Sequence, residues 1–137
     1  MKKTLILAIA ALALPSVALA AKPSHSSASA PKVSYILKGT LTNYVAYNPV
    51  GPVNGTVTIT VTSANYHGKA LKGLSLTFAV DANTAVTLPT AGWKNTDTGI
   101  VKIRALKKIA PAVLAATLQL SPAKQIVDQG TKHHGKP

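Results

Sequence analysis

Four basic side chains crowd one short stretch of the sequence: Lys102, Arg104, Lys107 and Lys108. Positions 102 and 104 are two apart, the spacing that puts both side chains on one face of a strand. Positions 107 and 108 follow where that strand runs out. Grouped cations attract polyanions through counterion release; the plainer reading is a solvated face. Other chemistry-bearing residues are weaker. His133-His134 offers two imidazoles, but adjacent ligands in a tail without apolar residues make no preorganised site, and no metal or cofactor is expected. His67 sits in Asn65-Tyr66-His67-Gly68. To act as a base it would need Asp81 or Asp97 and a serine, and no G-x-S-x-G elbow is present; it reads as a loop histidine. His25 carries no signal. Tyr44, Tyr47, Tyr66 and Trp93 read as loop aromatics. They would either stack on bases or sugars or cap the ends of the fold and bury their rings, and capping is the favoured reading.

Composition narrows the chemistry. The chain has 137 residues with 15 Lys or Arg, three acids and a formal charge of +12. The acids are Asp81, Asp97 and Asp128, and there is no Glu. Paired-carboxylate hydrolysis and oxygen-rich metal sites need acids in groups, and these three are far apart in sequence. There is no Cys, so thiol nucleophiles, disulfides and thiolate metal sites are excluded. Arg104 is the only Arg. Base readout favours the arginine fork, so sequence-specific nucleic-acid binding is not expected.

The N-terminus reads as an export leader. Lys2 and Lys3 precede an apolar run from Leu5 to Leu14, then Pro15, then Ala18-Leu19-Ala20. This is a charged region, an apolar region and a small-residue cleavage site. Cleavage after Ala20 is expected, and with it a secreted or extracytoplasmic location. No Cys follows for a lipid anchor, and no later segment is apolar over membrane length.

The elements that must position the basic cluster are short strands. Residues 21–32 read as a flexible linker. Val33, Tyr35, Leu37, Gly39 and Leu41 alternate with polar neighbours. A Tyr- and Pro-rich loop follows over Asn43 to Val53, and Asn54-Gly55 signals a tight turn. Val57, Ile59 and Val61 alternate with Thr56, Thr58, Thr60 and Thr62, predicting an antiparallel partner for the first strand. Leu74, Leu76, Phe78 and Val80 mark a third strand, Val86 and Leu88 a fourth, and Ile100 to Ala105 a fifth. The period then becomes helical: Pro111 suits a first turn, and a helix is expected to Leu118, ended by Pro122. Lys124 to Asp128 reads as a last strand, and 129–137 as a disordered tail. The expectation is mainly β: one domain over 33–128, a small antiparallel barrel or rolled sheet of five to six strands with one short C-terminal helix.

The core resembles a family. Tyr35-Ile36-Leu37-Lys38-Gly39-Thr40-Leu41 leads to Gly55-Thr56-Val57-Thr58-Ile59-Thr60-Val61, then Leu71-Lys72-Gly73-Leu74 and Val80-Asp81-Ala82-Asn83-Thr84, with Gly99-Ile100-Val101-Lys102-Ile103 as the next strand. From Val33 to about Ala105 this is similar to a group of exported bacterial domains of unknown function with small OB-like barrels. The resemblance implies a fold and no activity. The long Tyr/Pro loop and the Ala-rich helix depart from it.

Together these features point to an exported, non-enzymatic binding or accessory module that contacts anionic envelope polymers through Lys102, Arg104, Lys107 and Lys108. The competing reading is a structural or protein-interaction domain whose charge serves solubility. An unrecognised hydrolase is third.

Overall fold

The computed structural model describes residues 29–51 and 53–131. Residues 1–28, which include the expected leader and most of the expected linker, residue 52 and residues 132–137, with His25, His133 and His134, lie outside the described residues. The chain forms β1 (Lys32–Val45), β2 (Gly55–Ala64), a 3₁₀ helix (Tyr66–Leu71), β3 (Ser75–Val80), β4 (Ala85–Thr87), β5 (Thr98–Leu106), α1 (Pro111–Gln119) and β6 (Gln125–Asp128). The protein is mainly β, with one sheet of six strands in the order β3-β2-β1-β5-β6-β4.

Alternation builds the core as the sequence implies. Tyr35, Leu37 and Leu41 of β1, Val57, Ile59 and Val61 of β2, and Val101 and Ile103 of β5 are all buried. β1 is the central strand, antiparallel to β2 and to β5. Its long reach explains two departures from the sequence reading. β1 begins at Lys32, paired with Leu106, so the linker ends inside the sheet. It also continues through Asn43 to Val45, whose register shifts where Asn43 takes a positive φ of 52°. Gly55 is not the tip of a tight turn. It opens β2 after a longer loop, and a Cβ there would run into the Val45 carbonyl. Its need is close backbone approach.

Most outward residues of β2 and β3 carry hydroxyls. Thr58 bonds Thr77 at 2.8 Å and Thr60 bonds Ser75 at 3.3 Å. Thr42 and Thr40 of β1 lie opposite Thr58 and Thr60. Leu74, expected on the inward face of β3, is instead 43% exposed. Gly73 at φ 86° turns the chain just before it, and the ladder starts at Ser75.

The sheet is mixed and does not close, where the sequence suggested an antiparallel barrel or rolled sheet. β4 pairs with β6 in parallel. β3 and β4 occupy the two ends of the strand order, yet only Asp81–Thr84 separates them. A parallel crossover needs a dozen or more residues. Four residues cannot cross the sheet, so the end of β3 and the start of β4 lie close together at this turn. The approach to β6 stitches the seam. Ala123 N–H donates to Ala79 of β3 at 2.9 Å, and Lys124 N–H donates to Lys102 of β5 at 2.8 Å. The Lys124 carbonyl accepts from Ala85 of β4 at 3.0 Å, and Thr84 Oγ1 donates to the Ala123 carbonyl at 2.7 Å.

α1 begins at Pro111, as the sequence predicts, and buries Leu114 and Leu118. Its last residue, Gln119, accepts the Thr77 N–H at 3.0 Å, which occupies part of the free β3 edge. The segment beyond β6 is also part of the fold. Gln129 N–H donates to Thr98 at 2.8 Å and Thr98 N–H to Gly130 at 3.2 Å, so Gln129 to Thr131 are held against β5 and are not the start of a loose tail.

Candidate functional site

The β5 alternation sends Val101 and Ile103 into the core and leaves Lys102 and Arg104 outside. Lys102 faces Ile36 on β1 and Gln125 on β6; Arg104 faces Ser34. Lys124, exposed just ahead of β6, is tied to Lys102 by the backbone bond of the seam. Lys102, Arg104 and Lys124, with Ser34, Ala85, Ile103 and Gln125, line an open hollow of about 560 Å³. Lys107 and Lys108 are not part of it. They lie past β5, where Lys107 N–H donates to the Pro31 carbonyl at 2.9 Å. There they border a separate hollow of about 200 Å³ with Ala30, Pro31 and Leu106. The four residues grouped by sequence are thus two pairs in space, and Lys124 joins the first. Sequence spacing could not reveal Lys124, because its place depends on β6 returning beside β5.

Among the described residues, no carboxylate lines the larger hollow. Asp81 closes the β3–β4 turn, accepting from Asn83 N–H at 2.9 Å and Thr84 Oγ1 at 3.1 Å. Asp97 and Asp128 are in the interior, 2% and 4% exposed. All three acids take their hydrogen bonds, among the described residues, from neutral donors. The cations of the outer face are left to solvent or to an anionic ligand.

The structure brings two acids together, which the sequence reading treats as distant. Asp128 lies opposite Gly99, two residues from Asp97 along the same inward face. A Cβ on Gly99 would run into Leu41 Cδ1 and the Val127 carbonyl, so only glycine lets this crowded end form. Asp97 Oδ1 accepts the Thr131 hydroxyl at 2.8 Å. Asp128 Oδ1 accepts Gly130 N–H at 2.8 Å. Burial pushes the Asp128 carboxyl above the usual aspartate range; the Gly130 N–H pulls it back, and the charge on Asp97 pushes it up again. Among the described residues, no cluster of three or more His, Cys, Asp or Glu side chains is placed to hold a metal.

His67 is brought to aromatic rings and not to an acid. Its ring stands edge-on to Tyr35 at 6.0 Å and to Tyr66 at 5.6 Å. Of the four aromatics read as loop residues, Tyr44 lies in β1 and stacks on Trp93 at 4.8 Å. Both pack on the core with Tyr47, and burial raises the Tyr44 hydroxyl pKa. These three cap the end of the sheet. Tyr66 is 88% exposed.

Searched against protein-family models, curated proteins and solved structures, the chain matches none of them. Among the described residues no helix is long and apolar enough to cross a membrane.

Proposed function

We propose that this chain is an exported, non-enzymatic binding module that holds an anionic envelope polymer against the outer face of β5 and β6. The observation that carries the reading is the convergence of Lys102, Arg104 and Lys124 on one open hollow without a carboxylate. Export rests on the leader pattern of residues 1–20. Ser34 and Gln125 add neutral hydrogen-bonding groups beside the cations.

The fold we assign to the module is OB-like. β3 and β4, joined by four residues, serve as one bent strand. The strand order then reads as a ring: β1 to β2, β2 to the bent strand, the bent strand in parallel to β6, β6 to β5, and β5 back to β1. The OB-fold is such a partly open five-stranded barrel. The helix between β5 and β6 is a local addition. The family resemblance of Val33 to Ala105 agrees with this ring and brings no activity.

Retention on an immobilised anionic polymer across a salt series tests the reading. Three contacts give a log–log salt slope of roughly −2 to −3. Lys102→Gln/Arg104→Gln/Lys124→Gln should abolish retention near physiological salt, while Lys107→Gln/Lys108→Gln should keep most of it. The separation of Lys107 and Lys108 from the hollow favours a second reading, a structural module whose charge serves solubility. Equal, small effects of the two variants would establish that reading instead.

A further inference from the structure

The helix α1 is apolar on both sides. Leu114 and Leu118 are buried against the rest of the fold. Val113, Ala116 and Leu120 recur at i, i+3 and i+7, so they share one stripe on the opposite side. There Val113 is 51% and Leu120 86% exposed. No charged residue occurs from Ile109 to Ala123. The one long polar side chain, Gln119, is tied to the Thr77 N–H and the Ala115 carbonyl. A helix that is apolar all round is ordinarily covered on every side; among the described residues nothing covers this stripe.

What lies beside the stripe points to its cover. Leu106, Lys107 and Lys108 lead into α1, all exposed, and with Ala30 and Pro31 they line the hollow of about 200 Å³. Tyr35 Oη donates to the Leu106 carbonyl at 2.7 Å. The Tyr35 ring meets His67 at 6.0 Å, and His67 meets the exposed Tyr66 at 5.6 Å. The 3₁₀ helix, with Tyr66 and the exposed Lys69, therefore belongs to the same end of the molecule, and α1 lies against it. The acids are elsewhere. Asp97 and Asp128 flank the start of β5, and nine extended residues put Leu106 roughly 27 Å away. Asp81 is bound within the β3–β4 turn. A two-fold dimer through this end would set lysine against lysine with no acid to answer. A bilayer with anionic lipids supplies both the negative charge and an apolar layer. Apolar and aromatic side chains fringed by lysine are what settles at that boundary.

We propose that this end of the molecule, formed by α1, the 3₁₀ helix and Leu106 to Lys108, docks on the surface of a bilayer containing anionic lipids. Val113, Leu120 and Tyr66 enter the head-group layer, and Lys107 and Lys108 lie beside the phosphates. The surface is separate from the hollow of Lys102, Arg104 and Lys124, and it employs the two lysines that the hollow leaves out.

The test is co-sedimentation of the exported form with vesicles of phosphatidylcholine alone and of phosphatidylcholine with phosphatidylglycerol. The wild type should bind the second and not the first. A lysine close to an anionic bilayer contributes about fivefold in affinity, so Lys107→Gln/Lys108→Gln should weaken binding roughly 25-fold. Val113→Gln/Leu120→Gln should weaken it roughly tenfold and leave the unfolding midpoint in place, since both positions are exposed. Lys102→Gln/Arg104→Gln/Lys124→Gln should keep most of the binding. The proposal is overturned if the wild type binds neither vesicle or both equally, or if only the Lys102/Arg104/Lys124 variant loses binding. A wild type that sediments as a dimer, and as a monomer once Val113 and Leu120 are replaced, would also overturn it and assign the stripe to a second copy of the chain.

Discussion

The two faces of the β5–β6 ladder handle charge in opposite ways. Outside, Lys102, Arg104 and Lys124 stand around an open hollow with no carboxylate among them. Inside, Asp97 and Asp128 are packed at the end of the core with neutral donors. One residue of alternation separates the two environments. Exposed cations at the surface interact weakly with the rest of the fold and are free for a ligand. Buried anions are tied to the fold's stability. Positions of the first kind should move binding and leave folding alone; those of the second kind should do the reverse.

The largest expected effect removes what both faces hang on. Phe78 is fully buried opposite Val57, and Phe78→Ala should cost about 3–5 kcal/mol. Thr58→Ala, on the outward face of the same ladder, should stay within about 1 kcal/mol. Equal denaturant midpoints for the two would break the assignment of faces.

Next is Gly99→Ala, which puts a methyl against Leu41 and the Val127 carbonyl. Overpacking of this kind costs about 1–3 kcal/mol, seen as a lower urea midpoint. The effect should fall on the inner face, so polymer retention by the folded fraction should not change. A variant as stable as the wild type would show that this end of the sheet is looser than the geometry describes.

A smaller effect separates the two faces by pH. The native pKa of Asp128 is raised, so the folded protein keeps a proton that the unfolded chain has lost. Its contribution to stability therefore declines as pH rises from the unfolded value, about 3.9, through the native one, and is flat above both. Asp128→Asn should remove that decline. Unfolding followed from pH 4 to pH 7, wild type against variant, checks the sign. Parallel curves would mean that the interior does not feel the Asp128 charge.

The smallest expected change in stability belongs to Lys102→Gln, within about 0.5 kcal/mol, while the salt slope of retention should drop by about 1. A destabilised Lys102→Gln would erase the contrast between the faces.

Much of this fold is legible in the sequence because alternation is local. The inward residues of β1, β2 and β5 and the start of α1 at Pro111 follow from period and from proline chemistry alone. What is not legible depends on partners far along the chain. Nothing near Asp97 announces Asp128, 31 positions later; only the register of β6 on β5 joins them. Lys124 joins the basic hollow for the same reason. The parallel β4–β6 pair is hidden because three residues, Ala85–Thr87, are too few to show a period. Lys107 and Lys108 follow Lys102 and Arg104 closely in sequence, but past the end of β5 they line a different hollow, which spacing alone does not show.

The central position of β1 has a consequence for how the chain reaches its native state. Its neighbour on one side, β2, is the next strand along the chain, but β5, on the other side, arrives only after most of the chain. The seam waits longer still, for Ala123 and Lys124. Topologies dominated by such distant pairings form slowly, in milliseconds to seconds. A polypeptide emerging N-terminus first therefore cannot finish its sheet until nearly all of it has appeared.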